Sequence, residues 1–263
     1  MTHITISIEE AQSLLPELRN IALAAGALEL EHYNRGADVM VKNDGSPVTL
    51  ADQEAEAIIL AGLKKATPNI PIVAEEEVAA GRIPDISGGT YWLVDPLDGT
   101  KEFIKKSGDF TVNMALMIDD EPVLGVIYAP VMDELFMGCG NGTAVCSMQG
   151  NAEKSISVRV IPEEGLTVLA SRSHSDSVEL ENFLEGKKVA NRSFRGSSLK
   201  MCEIAAGRAD IYPRLAPTCE WDIAAGHAIL SAAGGKIVNL DGSKFIYGKT
   251  EERFLNPRFI ASS

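Results

Sequence analysis

WLVDPLDGTKEF, residues 92–103, is the stretch that decides how this chain is built. Its apolar residues 92–94 are typical of the end of a buried strand. Asp95 and Asp98 follow, three positions apart, and then come Gly99 and Thr100. At about 4 Å and an effective dielectric constant of about 20, two carboxylates repel each other by roughly 4 kcal/mol. Their placement at the end of a core strand therefore needs a physical reason.

The stretch by itself admits two interpretations. Asp-Pro and Asp-Gly are common turn dipeptides, and a strand that exits into a turn would select them without any chemistry. Alternatively, Asp95 and Asp98 converge on cations, and a tight turn directs the Leu97 carbonyl outward as a further ligand. A site built only from oxygen atoms suits magnesium, manganese or calcium better than zinc.

Two other acidic groups lie at the ends of predicted elements. Glu75–Glu77 follow the strand-like run IPIVA, residues 70–74, and Glu220 and Asp222 begin a predicted helix. Each group has an ordinary explanation, as a solvated loop or as acids that complement a helix dipole. Three acid-bearing element ends in one chain nevertheless favour one shared site.

Gly99 and Thr100 extend this interpretation to an anion. Glycine lets a phosphate oxygen approach the backbone, and the amides of Thr100 and Lys101 open a helical turn that favours negative charge. The Thr100 hydroxyl could hold a water, with Asp52 as the acceptor of its proton. Cations beside a phosphate cradle are the arrangement of metal-assisted phosphate hydrolysis.

The composition limits the class of ligand. The 263 residues carry a net charge of −13 and are 45% hydrophobic, as in ordinary globular proteins. No positive field exists to hold a nucleic-acid polymer or an anionic membrane. The four cysteines form no CxxC pair, and no basic-apolar leader or run of about 18 apolar residues is present. We expect a cytoplasmic protein without integral membrane association, either monomer or homodimer.

Periodicity predicts a layered α/β fold. Ser7–Glu10 is a capping-box pattern that starts a helix to about residue 33, kinked at Pro16. A hairpin over 39–49, a helix over 50–66, strands at 70–74 and 91–94, and successive antiparallel strands over 110–148 follow. Helices and strands then alternate from 167 to 240. We expect one compact functional unit with an antiparallel-rich half, 1–150, that carries the metal motifs and an α/β half, 151–263, that recognises substrate.

The motifs AEEE (74–77), WLVDPLDGTKEF (92–103) and EWDIAAGHAILSAAGG (220–235) resemble the magnesium-dependent, lithium-sensitive phosphatases of the inositol monophosphatase superfamily. The resemblance covers nearly the whole chain and implies a five-layered αβαβα sandwich with two or three Mg²⁺ ions, for which Mn²⁺ could substitute. It implies that the metal ligands are Glu75, Asp95, the Leu97 carbonyl, Asp98 and Asp222. It implies a catalytic group of Glu75, Thr100, Asp52 and Asp98, and phosphate contacts from Leu97, Asp98, Gly99, Thr100 and Asp222.

The second half resembles the CysQ-type 3′(2′),5′-bisphosphate nucleotidase branch, in SRSH (171–174), GSSLK (196–200) and ADIYPRL (209–215). By position, the contacts to a second phosphate and adenosine would come from His174, Ser197, Lys200 and Arg214. Simpler roles stay open: Ser197-Ser198 as a helix cap, Lys200 as surface charge and His174 as a turn residue.

The resemblance implies hydrolysis of adenosine 3′,5′-bisphosphate to AMP and phosphate in sulfate assimilation or salt stress, with 3′-phosphoadenylyl sulfate as a further candidate substrate. Two alternatives remain. The same scaffold could hydrolyse inositol phosphates or fructose bisphosphate, or the chain could be a regulatory protein that binds a divalent ion or a nucleotide without turnover. The pairing of Thr100 with Asp52 argues against a pure binder, which has no use for a positioned water.

Overall fold

The computed structural model describes residues 6–36, 39–41, 45, 47–170 and 178–263. The predicted capping box is confirmed: Ser7 Oγ accepts the Glu10 amide at 3.1 Å, and the Ser7 amide donates to Glu10 Oε2 at 2.8 Å. Helix α1 spans Ile8–Ser13, and α2 spans Leu15–Arg35. The break falls just before Pro16, which lies in the first turn of α2, where its missing N–H is not needed.

In the described ranges, the other predicted elements occur in the expected order, together with three short elements that were not predicted. The helices are α3 Leu50–Ala66, α4 Glu75–Ala79, α5 Thr100–Ile104, α6 Val178–Leu184, α7 Leu199–Ala205 and α8 Glu220–Ala232. The first nine strands are β1 Val39–Val41, β2 Pro47–Thr49, β3 Ile72–Ala74, β4 Thr90–Asp98, β5 Thr111–Ile118, β6 Glu121–Ala129, β7 Glu134–Cys139, β8 Val145–Met148 and β9 Lys154–Ser155. The last five are β10 Leu166–Ala170, β11 Val189–Phe194, β12 Ile211–Arg214, β13 Lys236–Asn239 and β14 Phe259–Ser262.

The larger sheet has seven strands in the order β3-β4-β5-β6-β7-β8-β9. Strand β3 runs parallel to β4, and the remaining neighbours are antiparallel. Side chains of β4 alternate between two apolar clusters: Trp92 and Val94 pack with α2 and α3, whereas Tyr91 and Leu93 pack with α7 and α8. Both faces of this sheet are therefore covered by helices.

The smaller sheet has five strands in the order β11-β10-β12-β14-β13. Its residues Tyr212, Ile237 and Phe259 belong to the same apolar cluster as α7 and α8, and Leu180 and Leu184 of α6 cover the other face. The layers are thus α2 and α3, the larger sheet, α7 and α8, the smaller sheet, and α6. The five-layered αβαβα sandwich implied by the sequence is confirmed.

Two local features of the structure differ from the expectations. Helix α4 and strands β9 and β14 have no counterpart among the elements predicted from the sequence. Strand β4 does not end at Val94 but continues through Asp98. The division into halves near residue 150 stays a prediction. No helix in the described ranges combines the length and apolarity needed to cross a bilayer.

Candidate active site

A β-bulge gives the acidic stretch its geometry. Strand pairing opposes Asp95 to Asn113 and Asp98 to Thr111, with two residues of β4 between the pairs and only one of β5. One of the two is Pro96, which has no N–H to donate to the strand pairing and is therefore tolerated at a bulge. Residues three apart normally face opposite sides of a sheet, but the extra residue turns both aspartates to the same side.

The two aspartates are each held by a nearby donor. Asp95 Oδ1 accepts the Leu97 amide at 3.0 Å, and Asp98 Oδ2 accepts the Ser198 hydroxyl at 2.6 Å. Gly99 follows with φ +98°, and a Cβ there would lie 2.9 Å from the Asp109 carbonyl oxygen. Only glycine combines this left-handed conformation with so close an approach.

Asp52 joins the site from the first turn of α3. Its Oδ2 accepts both the amide (2.8 Å) and the hydroxyl (2.6 Å) of Thr49, which caps the helix. Its Oδ1 accepts the Thr100 hydroxyl at 3.1 Å, and the Leu97 carbonyl is a second, longer acceptor for that hydroxyl at 3.4 Å. The structure therefore brings Asp52 and Thr100 together as predicted.

The three glutamates after β3 have separate surroundings. Strand β3 pairs Ala74 with Val94, so Glu75 follows β3 beside Asp95, and its negative charge is one of the causes that raise the pKa values of Asp95, Asp98 and Asp222. Glu77 instead pairs with Arg82 at 2.6 and 2.9 Å. The Glu76 amide donates to Glu56 Oε2 at 2.8 Å, which fixes the start of α4.

Asp222 reaches the site from the first turn of α8. Its Oδ2 accepts the Cys219 amide at 2.9 Å and so completes a capping box. Glu220, two residues earlier, faces away: its two oxygens accept the Gly248 amide at 2.9 Å and the Lys249 amide at 3.0 Å. Of the two acids at this helix start, only Asp222 is at the site.

The site concentrates negative charge around Asp95, which is buried, while Asp98 and Asp222 are half-buried. Burial raises the pKa of Asp95 well above its usual range, and the charges of Glu75, Asp98 and Asp222 raise it further. Burial also raises the pKa of Asp222, with Asp98 and Glu75 as the next causes. For Asp98, burial raises the pKa, while the Ser198 hydrogen bond and the Lys200 charge oppose the increase.

The residues present fit a divalent cation of the magnesium type. Within the described ranges, no three acidic, histidine or cysteine side chains are gathered closely enough to hold an ion as they stand. The available donors are nevertheless carboxylate and carbonyl oxygens, the ligands that hard cations prefer. Burial and neighbouring carboxylates raise the pKa values of Asp95, Asp98 and Asp222, and a bound cation would offset the repulsion among these charges.

A cavity of about 180 Å³ opens beside these acids and contains Asp98, Asp222, Ser197, Lys200 and Arg214 in its walls. Lys200 is buried, and its Nζ donates to the carbonyls of Ser197 (2.5 Å) and Arg195 (3.3 Å). Its interpretation as surface charge is therefore wrong. The Arg214 guanidinium donates to the Ala216 (3.0 Å) and Pro217 (2.8 Å) carbonyls, which fixes its plane at the cavity wall.

Some functional positions differ from the expectations. Ser198 precedes α7 but makes no side-chain cap bond there, so its interpretation as a cap is wrong; it binds Asp98 instead. Asn113 donates to Ser198 Oγ at 2.6 Å. The sequence gives no indication of this contact except that a polar residue lies within an apolar strand. His174 lies outside the described residues.

Comparison with known proteins agrees with this geometry. A "3'(2'),5'-bisphosphate nucleotidase CysQ" of Escherichia coli O6:H1 is 42% identical over 251 residues, which are 95% of this chain and 99% of the relative. The protein of the same name from Salmonella typhimurium is 43% identical over 249 residues, 94% of this chain and 98% of the relative. The crystal structure of CysQ from Bacteroides thetaiotaomicron superposes with a TM-score of 0.79 at 36% identity, covering 96% of this chain and 97% of that one.

Together with the five layers and the acidic site, one further match settles the family. Residues 10–262 match the profile described as "Inositol monophosphatase family", which is almost the entire sequence. The chain belongs to the inositol monophosphatase family.

Proposed function

We propose that the protein is a divalent-metal-dependent phosphomonoesterase that hydrolyses the 3′-phosphate of adenosine 3′,5′-bisphosphate, giving AMP and phosphate. One observation carries the proposal: two members of the acidic group, Asp98 and Asp222, border the same cavity as two fixed cations, Lys200 and Arg214. The acids supply a metal site for the ester that is cleaved. The cations supply a separate anion site for a phosphate that is retained. The names of the similar nucleotidases support this assignment.

The metal ligands would be Glu75, Asp95, the Leu97 carbonyl, Asp98 and Asp222. We assign two or three Mg²⁺ ions to them, with Mn²⁺ as a substitute. When bound, such ions polarise the phosphoryl oxygens and lower the pKa of coordinated water. The raised pKa values of three of these aspartates support the assignment, because a buried acidic group binds a cation in exchange for protons.

Thr100, Asp52 and Glu75 would prepare the attacking water. The Thr100 hydroxyl donates to Asp52 at 3.1 Å, so its oxygen lone pairs are left to accept a hydrogen bond from water. Asp52 is held in turn by Thr49 through both its amide and its hydroxyl. This two-step support fixes the direction of the Thr100 O–H bond and thereby orients the nucleophile. Glu75 would accept the proton that the water loses.

The phosphate to be cleaved would lie on the backbone at the start of α5. Gly99 has no side chain to block an approaching phosphate oxygen, and the amides of Gly99 and Thr100 would donate to it. Asp98 and Asp222 line the cavity next to this cradle. A water held on the Asp222 side would protonate the leaving ribose oxygen as its bond to phosphorus breaks, and no covalent phosphoryl-enzyme would form.

The retained 5′-phosphate and the adenosine would occupy the cavity near Ser197, Lys200 and Arg214, with His174 as a further contact. Two of the three N–H donors of Lys200 are satisfied by backbone carbonyls, so its charge is fixed rather than mobile. A fixed lysine and a planar guanidinium suit a phosphate dianion in a chain whose net charge is −13. We place the enzyme in the cytoplasm, where reduced thiols such as the buried Cys139, Cys146 and Cys202 persist.

A phosphate-release assay on the full chain tests the proposal. We expect turnover of adenosine 3′,5′-bisphosphate that requires Mg²⁺ and stops with a chelator, and we include 3′-phosphoadenylyl sulfate to test the sulfated analogue. A kcat/KM more than tenfold higher for inositol 1-phosphate or inositol 1,4-bisphosphate would reject the nucleotide assignment. No turnover of any phosphate ester would favour a binding protein over an enzyme.

A further inference from the structure

Ser198 connects three elements through one oxygen atom. Its Oγ lies 2.6 Å from Asp98 Oδ2 at the end of β4, 2.9 Å from the Asp222 carbonyl oxygen in α8, and 2.6 Å from Asn113 Nδ2 on β5. Ser198 and Asn113 are both buried, and 85 positions separate them in the chain. Because the Ser198 side chain makes no cap bond to α7, these contacts account for a serine at this position.

The single hydroxyl proton of Ser198 has one favoured acceptor. Asn113 Nδ2 is a donor, so it takes a lone pair of Oγ and leaves the proton for an oxygen. The Asp222 carbonyl lies in the first turn of α8, where the amide four residues later supplies a donor. Asp98 Oδ2 is both closer and more negative, and charge-assisted hydrogen bonds are the stronger ones.

Asn113 determines the direction of this hydrogen bond. In the described part of the chain its Oδ1 is buried and accepts no hydrogen bond, which carries a desolvation cost. With the amide reversed, Oδ1 would lie against Ser198 Oγ and would compete with Asp98 for the hydroxyl proton. The observed orientation therefore reserves that proton for Asp98.

We propose that Ser198 and Asn113 form a positioning pair that holds Asp98 in one orientation for cation binding. Ser198 donates to one carboxylate oxygen, and Asn113 ensures that the serine donates rather than accepts. The rotation of the Asp98 carboxylate is then fixed before the ion arrives, as outer partners fix the ligands of other metal sites. The inference rests on the proposed function, since it takes Asp98 to be a metal ligand.

Calorimetric titration of the metal-depleted full chain with Mn²⁺ alone, without substrate, tests the pair. We expect Ser198→Ala to raise the Kd for Mn²⁺ about tenfold, the lower end of the range for outer-shell changes. Asn113→Leu is nearly isosteric and uncharged but cannot donate, so the Ser198 hydroxyl loses the partner that fixes its direction, and the Kd should rise several-fold. This second variant carries the test if Ser198→Ala does not fold.

Met114→Ala is the matched control, because Met114 lies on the opposite face of β5 in the cluster with α2 and α3. It should lower the melting temperature while leaving the Kd within twofold. The inference is overturned if both pair variants bind Mn²⁺ as tightly as the unmodified protein, or if Met114→Ala weakens binding equally. An unmodified protein that binds no divalent ion would instead refute the proposed function itself.

Discussion

Thr100 Oγ1 lies 3.1 Å from Asp52 Oδ1, although 48 positions separate the two residues in the sequence. The contact joins the start of α5 to the start of α3, and Asp52 is further held by the Thr49 amide and hydroxyl. Two helix starts are thereby locked together beside the acidic group. A hydroxyl held this rigidly has a defined direction for accepting a hydrogen bond from water.

Thr100→Val should abolish this orientation while preserving the shape of the side chain. We expect kcat for adenosine 3′,5′-bisphosphate to fall by about 10²-fold or more, the range for a group that handles a proton in the transition state. The melting temperature should change little, because one hydrogen bond contributes about 1 kcal/mol. Thr90→Val, a buried threonine at the start of β4, is the control and should retain full kcat. A Thr100→Val enzyme with more than half of the original kcat would show that the hydroxyl has no catalytic role.

The sequence predicted the layers and the acidic group well, because both leave local signals. Alternating apolar residues mark the strands, and acids directly after Ala74 and Val94 mark the ends of core runs. The bulge in β4 was not predicted, since it depends on the register against β5 and not on residues 92–98 alone. For the same reason the strand was expected to end four residues too early.

Long-range partners were the weakest part of the prediction. A serine before a helix is normally a cap, and nothing nearby distinguishes Ser198, whose acceptor Asp98 is 100 positions away. Likewise, Glu220 and Asp222 both begin α8, and only the path of residues 248–249 shows that Glu220 binds backbone amides instead of the site. Such choices are made by tertiary contacts, which leave no periodic signal in one sequence.

Asp95→Asn should have opposite effects on stability with and without metal. In EDTA at neutral pH we expect a higher melting temperature, because the substitution removes one of several buried like charges. With Mg²⁺ at about 100 times its Kd, the unmodified protein should gain about 2.7 kcal/mol and the variant little. Thermal unfolding in both buffers measures this, with the exposed Asp119→Asn as control. Equal Mg²⁺-induced shifts in Asp95→Asn and the unmodified protein would contradict the assignment of Asp95 as a ligand.

Glu29 should make the protein less stable as pH rises. It is fully buried in α2, its carboxyl oxygens have no hydrogen-bond partner in the described ranges, and burial raises its pKa well above the usual range, with Asp52 adding to the effect. The folded state therefore keeps a proton that the unfolded chain loses above about pH 4.3. Above about pH 4.3, the free energy of unfolding therefore falls by up to about 1.4 kcal/mol per pH unit, until the pH is high enough to ionise Glu29 in the folded state.

Glu29→Gln removes this titration. In EDTA, the difference in melting temperature between Glu29→Gln and the unmodified protein should therefore be more favourable to the variant at pH 8 than at pH 5. The exposed Glu17→Gln on the same helix is the matched control and should follow the unmodified profile. Parallel pH profiles for Glu29→Gln and the unmodified protein would mean that Glu29 titrates normally in the folded state.

Arg214→Met should separate the two phosphate sites. We expect KM for adenosine 3′,5′-bisphosphate to rise about tenfold or more, since a hydrogen bond to a charged group contributes about 1.5–3 kcal/mol. The KM for adenosine 3′-monophosphate, which lacks the second phosphate, should change much less. Arg19→Ala, whose side chain pairs with Glu153 on the surface, serves as control. An equal rise in KM for both substrates would remove Arg214 from the second phosphate site.

Glu220 should be a major source of stability at the start of α8. It has no solvent exposure, its Oε1 lies 2.6 Å from Lys249 Nζ, and its backbone amide donates to the Phe254 carbonyl at 2.8 Å. Together these contacts tie the helix that carries Asp222 to the segment 248–254. Glu220 is fully buried and Lys249 is partly exposed, so replacing Glu220 loses charge-assisted hydrogen bonds to two amides and to an ammonium, each worth about 1.5–3 kcal/mol.

Glu220→Gln should therefore lower the unfolding free energy by about 3 kcal/mol or more in urea, whereas Glu179→Gln, in an exposed pair with Arg258, should cost less than about 1 kcal/mol. Because part of the loss comes from the Lys249 ammonium left without its carboxylate, adding Lys249→Met to Glu220→Gln should restore part of it, and the double variant should lose less stability than the sum of the two single variants. If the double variant loses as much stability as the two single variants combined, the ion pair contributes nothing. Glu220 would then stabilise the segment 248–254 only by accepting the amides of Gly248 and Lys249.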